Sequence, residues 1–330
     1  QLTSVDVSNN SALEFLSCQN NQLTSLDVRN GNNENITTFN ATTNLDLTCI
    51  FVDDVSYSDA NWTDIDPASN LVADEAECDA LFTAIPDSNF EQALINLGID
   101  IHPTPDGKVL TANIEVVTSL DIINKNISDL TGIEGFIALN ILNCQNNQLT
   151  SLDVSNNLGL TELRIFNNQL TILDISNNSA LELLNCTSNQ LTSLDVSANP
   201  ALIVLNFNSN QLTSLNVSNN NVLTDLRLID NQLTSLDVSA NPALTRLFCN
   251  NNQLSSLNVR NGNNTDIIIF RAINNPDLTC IFVDDVSYSD ENWTDIDIIA
   301  NFVEDEAECD ALFTAIPDQN FEQALIDLGI

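Results

Sequence analysis

Carboxylates form the densest group of chemically capable side chains in this 330-residue sequence. Two acidic segments each contain a group of five closely spaced aspartates: Asp53, Asp54, Asp59, Asp64 and Asp66, then Asp284, Asp285, Asp290, Asp295 and Asp297. Hard oxygen ligands at this density suit Ca²⁺, which would also relieve the repulsion between the carboxylates. Calcium binding by these segments is therefore one hypothesis, and plain acidic loops in contact with water are the alternative.

Cysteine supplies the second group of reactive side chains. Four cysteines form two equally spaced pairs in the acidic segments: Cys49 with Cys78, and Cys280 with Cys309. A disulfide within each pair is the first interpretation, and two buried thiols per segment is the alternative. The other four share one inward strand position of the repeat described below: Cys18, Cys144, Cys186 and Cys249. Because Cys144, Cys186 and Cys249 lie two and three coils apart, roughly 10–15 Å, we expect small buried hydrophobic side chains rather than bonds.

The sequence offers no catalytic constellation. His102 is the single histidine and lies in the loop DIHPTPDGKV beside two prolines, so we expect it to be exposed. No glycine-rich phosphate loop is present, and carboxylates are too frequent for any pair of them to indicate a glycosidase. We predict a protein without catalytic residues and without a cofactor, apart from the calcium considered above.

The net charge limits the partners. Lys and Arg total 8 against 46 Asp and Glu, which gives −38 at pH 7. Nucleic acid and anionic membrane surfaces attract basic proteins, so neither is an expected partner. Hydrophobic residues make up 43% of the sequence, enough for a sizeable core. No apolar run reaches the length of a membrane span, so this segment is not expected to insert into a bilayer.

The elements that position these residues follow from an internal repeat. The dipeptide Gln-Leu recurs at a constant interval, beginning at Gln148, Gln169, Gln190, Gln211, Gln232 and Gln253. One repeat, LTSLDVSNNLGLTELRIFNNQ at 149–169, divides into two half-copies of the form L-x-x-L-x-V/I-x-x-N. The L-x-V alternation predicts a very short strand in each half, with its apolar side chains inward. A single coil cannot bury that face alone, so the coils must stack into a solenoid with one continuous core.

Asparagine marks the ends of both half-copies. In a stack of coils these positions become ladders, whose side-chain amides bind turn backbone that would otherwise be buried without partners. The first column is Asn157, Asn178, Asn199, Asn220 and Asn241, and the second is Asn147, Asn168, Asn189, Asn210, Asn231 and Asn252. We predict a structural role for all of them.

These motifs resemble a known family. The segment LTRLFCNNNQL at 244–254 is similar to the conserved segment of leucine-rich repeats, and the 21-residue version with LTSLDVSNN resembles secreted tandem-repeat surface proteins of Bacteroidetes, some of them adhesin-like. The resemblance covers essentially the whole chain. It implies a right-handed solenoid of short strands and turns, export from the cell and, in many members, attachment to the cell surface. It says little about the ligand.

A longer tandem repeat overlies the short one, because residues 1–99 are a near copy of residues 232–330. Gly31 and Gly262, where RNGNN ends the leucine-rich pattern, predict turns with positive φ. The expected order is a first array at 1–48, an acidic C-terminal cap at 49–82, a helical N-terminal cap at 83–116, a second array at 117–279, a second acidic cap at 280–313 and the next helical cap from 314–330.

The helical cap can be placed within its segment. Pro86, Asp87 or Ser88 can start a helix, and Gly98 can end it. Its apolar stripe is Phe90, Ala93, Leu94 and Leu97. A short amphipathic helix over the open end of an array shields its first coil, and we expect successive units to follow one another without a flexible linker.

Two outward faces of the array differ in regularity. One is a constant column: Asp153, Asp174, Asp195, Asn216 and Asp237. The other varies and carries basic and apolar side chains that are typical of contact sites. We predict binding residues there: Arg164, Phe166, Arg227, Ile229, Arg246 and Phe248. Neutral drift on an unconstrained surface is the alternative.

Two functions fit this organisation. The first is structural: an internal segment of a longer extracellular or cell-surface protein, in which tandem units form a rod or fibre and copies pack along or between rods. The second is a surface adhesin that recognises a glycan or a protein through the varying face. Signal and anchoring segments are expected outside the sequence in hand, and an enzymatic function is not expected.

Overall fold

The computed structural model describes residues 1–313 together with Gln323 and Asp327. The chain divides into two compact units, residues 1–159 and residues 160–330. The helical cap predicted at 314–330 therefore lies outside the described residues, apart from those two positions. None of the helices in the described part is long and apolar enough to cross a membrane.

Strands of three residues build both units. In the first unit they are β1 (Ser4–Asp6), β2 (Phe15–Ser17), β3 (Ser25–Asp27), β4 (Thr38–Asn40), β5 (Cys49–Phe51), β6 (Asn70–Val72), β7 (Phe82–Ala84), β8 (Lys108–Leu110), β9 (Ser119–Asp121) and β10 (Ile141–Asn143). In the second they are β11 (Glu162–Arg164), β12 (Leu183–Asn185), β13 (Val204–Asn206), β14 (Asp225–Arg227), β15 (Ser235–Asp237), β16 (Arg246–Phe248), β17 (Ser256–Asn258), β18 (Ile269–Arg271), β19 (Cys280–Phe282) and β20 (Asn301–Val303).

Helices are few and short. They are α1 (Val55–Asn61), α2 (Glu75–Ala80), α3 (Ser88–Asn96) and α4 (Thr111–Ile114) in the first unit, and α5 (Val286–Asn292) and α6 (Glu306–Ala311) in the second. Single 3₁₀ turns occupy Asn33–Asn35, Ile133–Gly135 and Asn264–Asp266.

Parallel pairing between successive coils forms the sheets. In the second unit, β11, β12, β13, β14, β16 and β18 pair in this order, and β15, β17, β19 and β20 form another sheet. In the first unit, β1, β3, β5 and β6 pair in order, as do β2 with β4 and β9 with β10. The exception is the antiparallel pair of β7 and β8. Parallel coils with short strands are the architecture that the 21-residue pattern predicts.

The core consists of the inward residues of these coils. Leu163, Leu184, Leu205, Leu226 and Leu247, the middle residues of successive strands in the second unit, are fully buried. Burying one leucine side chain contributes about 1.5–3 kcal/mol, and each coil gains it only by stacking on its neighbours.

Tight turns follow the strands of the larger sheet. In the second unit the third residue after each strand of this sheet has a left-handed backbone, with φ between 53° and 61°: Asn167, Ser188, Ser209, Asp230, Asn251 and Asn274. Asparagine, aspartate and serine are among the residues that turns select, because their short polar side chains bond to nearby backbone. Gly31 and Gly262 have φ values of 80° and 79°, as predicted.

The two acidic segments fold alike. In the first, Asp54 caps α1 by accepting a hydrogen bond from Tyr57 N, and Trp62 stacks on Phe39 with ring centroids 4.3 Å apart. In the second, Asp285 caps α5 in the same way, and Trp293 stacks on Phe270 at 4.3 Å. Nearly identical sequence thus gives the same helix–strand–helix order in both units.

The segment at 83–116 contains the predicted helix, α3. Asp87 caps it by accepting hydrogen bonds from Asn89 N and Phe90 N. Phe90, Ala93 and Leu94 are buried, but Leu97 is 49% exposed, so the predicted stripe was wrong at its last position. The reason is that Leu97 lies beyond the last helical residue, at the C-cap, and turns away from the face that packs on the array.

Candidate binding surface

Three arginines and one phenylalanine meet on the sheet face formed by β14, β16 and β18. The guanidinium of Arg227 lies over the ring of Phe248, with Cζ 5.1 Å from the ring centroid, and Arg271 approaches the same ring at 5.7 Å. Arg246 extends beside them from β16, and its Nη1 is 3.3 Å from an oxygen of Asp225. We call Asp225, Arg227, Arg246, Phe248 and Arg271 together the Arg/Phe surface.

Asp225 is the buried carboxylate that accepts hydrogen bonds from the arginines of this surface. The residue is only 4% exposed, and its two oxygens accept hydrogen bonds from Arg227 Nε and Nη2, both at 2.8 Å. Burial pushes the pKa of the Asp225 carboxyl up, but hydrogen bonds and charge from Arg227 and Arg246 outweigh it, so the pKa is lowered. The bond to Asp225 in turn raises the pKa of Arg227. Both groups are therefore charged at neutral pH, and the arginine fork is held in one orientation.

The predicted binding residues divide into two groups. Arg227, Arg246 and Phe248 come together in the Arg/Phe surface, and Ile229 follows Arg227 as a half-buried neighbour. Arg164 and Phe166 belong to β11 and the residues after it, and the strands β12 and β13 separate them from β14. Arg164 instead pairs with Glu162, Nη1 to Oε2, at 2.6 Å.

Sequence reasoning missed Arg271 and the anchoring role of Asp225. Arg271 aligns with Phe248 across β16 and β18, although the chain between the two is longer than one repeat. The chain has two extra residues before β18, so a fixed 21-residue period does not align Arg271 with Phe248. The signal that could have found it is IIIFRA at 267–272, where an inward apolar residue stands directly before arginine, as in Leu163–Arg164 and Leu226–Arg227.

Several of the clustered aspartates accept hydrogen bonds from backbone amides. Asp53 Oδ2 accepts hydrogen bonds from Gly31 N and Asn32 N at 2.8 and 3.1 Å, and Asp66 likewise accepts from Thr43 N and Asn44 N of the preceding coil. In the second copy, Asp284 and Asp297 repeat these contacts, while Asp295 lies 3.1 Å from Arg271. Within the described residues, no three His, Cys, Asp or Glu side chains come together as a metal site. Six of these aspartates thus act as caps in this structure: Asp53, Asp66, Asp284 and Asp297 at turns, and Asp54 and Asp285 at helices.

The asparagine columns form the predicted ladders. In the first column, Asn199 Nδ2 donates to Ile175 O and Asn178 O, and Asn220 and Asn241 repeat this one coil further along each time. In the second column, Asn210 Nδ2 donates to Cys186 O, while its Oδ1 accepts from Leu191 N at 3.0 Å. Buried amides therefore join each coil to the preceding one.

The cysteines have the states predicted for them. Cys49 is bonded to Cys78 and Cys280 to Cys309, with Cα atoms 6.1 and 6.0 Å apart. The remaining four are free and buried: Cys18, Cys144, Cys186 and Cys249. Burial raises the pKa of the Cys249 thiol to about 12, so this group is protonated and unreactive at neutral pH.

His102 is buried, so the expectation of an exposed loop histidine was wrong. The loop folds back on itself, with Asp100 accepting a hydrogen bond from His102 N, and His102 Nδ1 bonds to Thr104 O. Its Nε2 faces Asp46 Oδ1 at 3.4 Å. These contacts tie the loop to the preceding coil.

The regular column is exposed, and its carboxylates bond locally. In Asp153, Asp174, Asp195 and Asp237, Oδ1 accepts a hydrogen bond from the serine amide two residues further on. Hydrogen bonds from Ser155 and Ser197 lower the pKa values of Asp153 and Asp195. This column is a series of identical turns, in contrast to the irregular Arg/Phe surface.

Stacked coils with a leucine-lined parallel sheet and internal asparagine ladders define a leucine-rich-repeat fold. Solved structures agree: an internalin (inlF) from Listeria monocytogenes has a TM-score of 0.52 at 22% identity, covering 68% of this chain and 72% of that chain. The functional domain of InlJ from Listeria monocytogenes, described as including a cysteine ladder, has a TM-score of 0.48 at 29% identity, over 61% of this chain and 52% of that chain. The present chain thus spans about half the length of that InlJ chain.

A leucine-rich-repeat protein of Leptospira interrogans has a TM-score of 0.43 at 18% identity, covering 90% of this chain and 68% of that chain. Neither a protein-family model nor a curated protein matches the sequence. The inlF structure therefore supports the fold alone, and function has to be argued from the surface of the chain.

Proposed function

We propose that this chain is a non-catalytic extracellular binding module that recognises a protein or a glycan through the sheet face of its leucine-rich repeats. The observation that carries the proposal is the Arg/Phe surface, in which two arginines approach one ring and a third pairs with the buried Asp225, in a chain of net charge −38. Arginine and aromatic side chains dominate the energetics of contact sites. The two disulfides support a location outside the cell, where such bonds persist.

Binding arrays test this function. The chain is applied to glycans and to extracellular proteins, alongside a variant with Arg164→Gln, Arg227→Gln and Arg246→Gln. We expect a hit that the variant loses and that a control with Asp174→Asn and Asp195→Asn, on the regular column, retains. A complete lack of hits, or equal binding by the triple variant, would contradict the proposal.

A second, structural function is favoured by the duplication of a whole segment, since residues 1–99 recur as residues 232–330. We propose that tandem units form a stiff extracellular rod and that copies pack along or between rods. The acidic segments support this proposal because both copies adopt the same elements and the same disulfide. Negative-stain electron microscopy of chains with one, two and three units should show particle length growing with unit number. Compact particles of constant length would refute the rod.

A further inference from the structure

Two other arginines of the chain also stack on a phenylalanine, and the acidic segments show which groups such an arginine binds. In the first copy, the guanidinium of Arg29 lies 4.9 Å from the centroid of Phe51. Its Nε and Nη2 donate to the two oxygens of Asp27, two residues earlier, at 3.0 and 2.6 Å. Its outer edge then receives the start of α2: Nη1 donates to Ala73 O at 3.3 Å, and Nη2 contacts Glu75 Oε1 at 3.1 Å.

The second copy repeats the arrangement. Arg260 stacks on Phe282 at 5.0 Å, and Asn258 takes the place of the anchoring aspartate. Nη1 donates to Glu304 O at 3.0 Å, and Nη2 contacts Glu306 Oε1 at 3.4 Å. In both copies the arginine therefore recognises a backbone carbonyl and, two residues later, a glutamate.

The Arg/Phe surface has the same parts around Arg227, while the second acidic segment contributes Asp295, which pairs with Arg271 at 3.1 Å instead. Arg227 is anchored by Asp225, two residues earlier, and lies 5.1 Å from the ring of Phe248. The register differs, because Phe248 lies directly opposite Arg227, whereas Phe51 lies opposite Asp27. The relation of the guanidinium to its anchor and to the ring is nevertheless retained. Arg227 Nη1 makes no hydrogen bond to any of the residues that the structure describes, and Arg246 and Arg271 flank it.

From this comparison we infer that the Arg/Phe surface binds an acidic protein segment. One backbone carbonyl of that segment accepts from Arg227, and a glutamate or aspartate stands two residues after that carbonyl. The inference rests on the proposed binding function and specifies the chemistry of its partner. Arg227 takes the carbonyl through Nη1, and the flanking arginines take the carboxylates. Charge complementarity favours this occupant, because this sheet face gathers three of the eight basic residues of the chain.

The net charge of −38 predicts how binding of the acidic segment depends on ionic strength. An acidic segment is repelled by the chain as a whole and attracted by the local arginines. Moderate salt screens the long-range repulsion before it screens contacts of about 3 Å, because the Debye length is about 10 Å at 0.1 M salt. Binding should therefore be strongest at intermediate ionic strength.

A labelled peptide tests the inference. The probe is fluorescein-NLVADEAECDA, residues 70–80 with Cys78→Ser, and binding to the whole chain is measured by fluorescence anisotropy. We expect saturable binding that weakens at least tenfold in Arg227→Gln and Arg271→Gln, and tenfold for a probe that carries Glu75→Gln. The matched control is Arg164→Gln, whose guanidinium also pairs with an acid two residues earlier but faces Asn185 instead of a phenylalanine. This variant should bind like the wild type.

Two further variants keep the result interpretable. Arg271 is half-exposed, so Arg271→Gln should fold even if Arg227→Gln does not. A chain with Arg29→Gln and Arg260→Gln tests exchange of the probe into the acidic segments, and its binding should match the wild type. Equal binding by Arg271→Gln, or by the Glu75→Gln probe, would overturn the inference. If the arrays find a glycan or a protein that needs the sheet arginines while the probe does not bind, the inference fails and the proposed function stands.

Discussion

Asp225 and Arg227 form a two-point ion pair on β14, with the carboxylate almost completely buried and the guanidinium reaching the surface. Replacing Arg227 with leucine leaves the carboxylate with Arg246 as its remaining cation. An unsatisfied buried acceptor costs about 1–3 kcal/mol, so we expect Arg227→Leu to lower the free energy of unfolding by about that amount. Urea denaturation monitored by circular dichroism measures it. Arg164→Leu, which removes a pair whose carboxylate is partly exposed rather than buried, is the control and should cost less than about 1 kcal/mol.

The same pair makes stability depend on pH. The folded-state pKa of Asp225 is lowered relative to the unfolded chain, so its contribution is present above the unfolded value, about 3.9, and is lost as pH falls through the folded value. Asp225→Asn removes the contribution at every pH. The difference in unfolding free energy between wild type and Asp225→Asn should therefore be larger at pH 7 than at pH 2.5. An unchanged difference would show that the carboxylate titrates normally.

The disulfides should stabilise the acidic segments. Each closes a loop with a sequence separation of 29 residues, for which the chain-entropy model gives about 3–4 kcal/mol. Cys49→Ser with Cys78→Ser should lower the melting temperature, and dithiothreitol should add nothing further at that segment. The matched control is Cys186→Ser, which removes a buried thiol and keeps both disulfides, so dithiothreitol should still lower its melting temperature. A thiol assay should count no reactive cysteine in the native chain and four after denaturation without reductant.

The asparagine ladders predict a sharp contrast between neighbouring residues. Asn199→Ala removes two buried hydrogen bonds, to the carbonyls of Ile175 and Asn178, which keep their backbone bonds from Asn178 N and Leu181 N. At about 0.5–1.5 kcal/mol for each bond, we expect a loss of about 1–3 kcal/mol. Asn219 is exposed and makes one side-chain contact, to Ser197 O at 3.2 Å, so Asn219→Ala should cost less than about 0.5 kcal/mol. Equal effects of the two substitutions in urea denaturation would contradict the structural role of the ladder.

Calcium binding by the acidic segments stays a prediction that chelation can decide. Asp53, Asp66 and their counterparts already serve backbone amides, and a bound cation would compete with these bonds. We therefore expect EDTA to leave the melting temperature unchanged. A fall that Ca²⁺ reverses, and that Asp53→Asn abolishes, would establish the site instead.

The sequence was sufficient to predict the features that repeat. Inward leucines and both asparagine columns follow from the 21-residue period, because identical environments recur once per coil. The paired cysteines follow from their equal spacing in the two copies of the longer repeat. Features that depend on a single loop could not be predicted in this way. His102 is buried because its loop folds onto Asp46, and Leu97 is exposed because α3 ends one residue earlier. Arg271 reaches Phe248 because two extra residues are taken up outside the strand.

The ladders also bear on how such a chain can change length in evolution. Each ladder asparagine in the second unit binds carbonyls of the coil before it through the same set of contacts. Recombination between neighbouring repeats can add or remove one whole coil. Every ladder asparagine would then still face the same carbonyl acceptors in the coil before it. An addition of any other size must be absorbed in a loop, as happens before β18, or it shifts the amides out of line with their acceptors. The gene can therefore grow or shrink in whole coils without a compensating mutation.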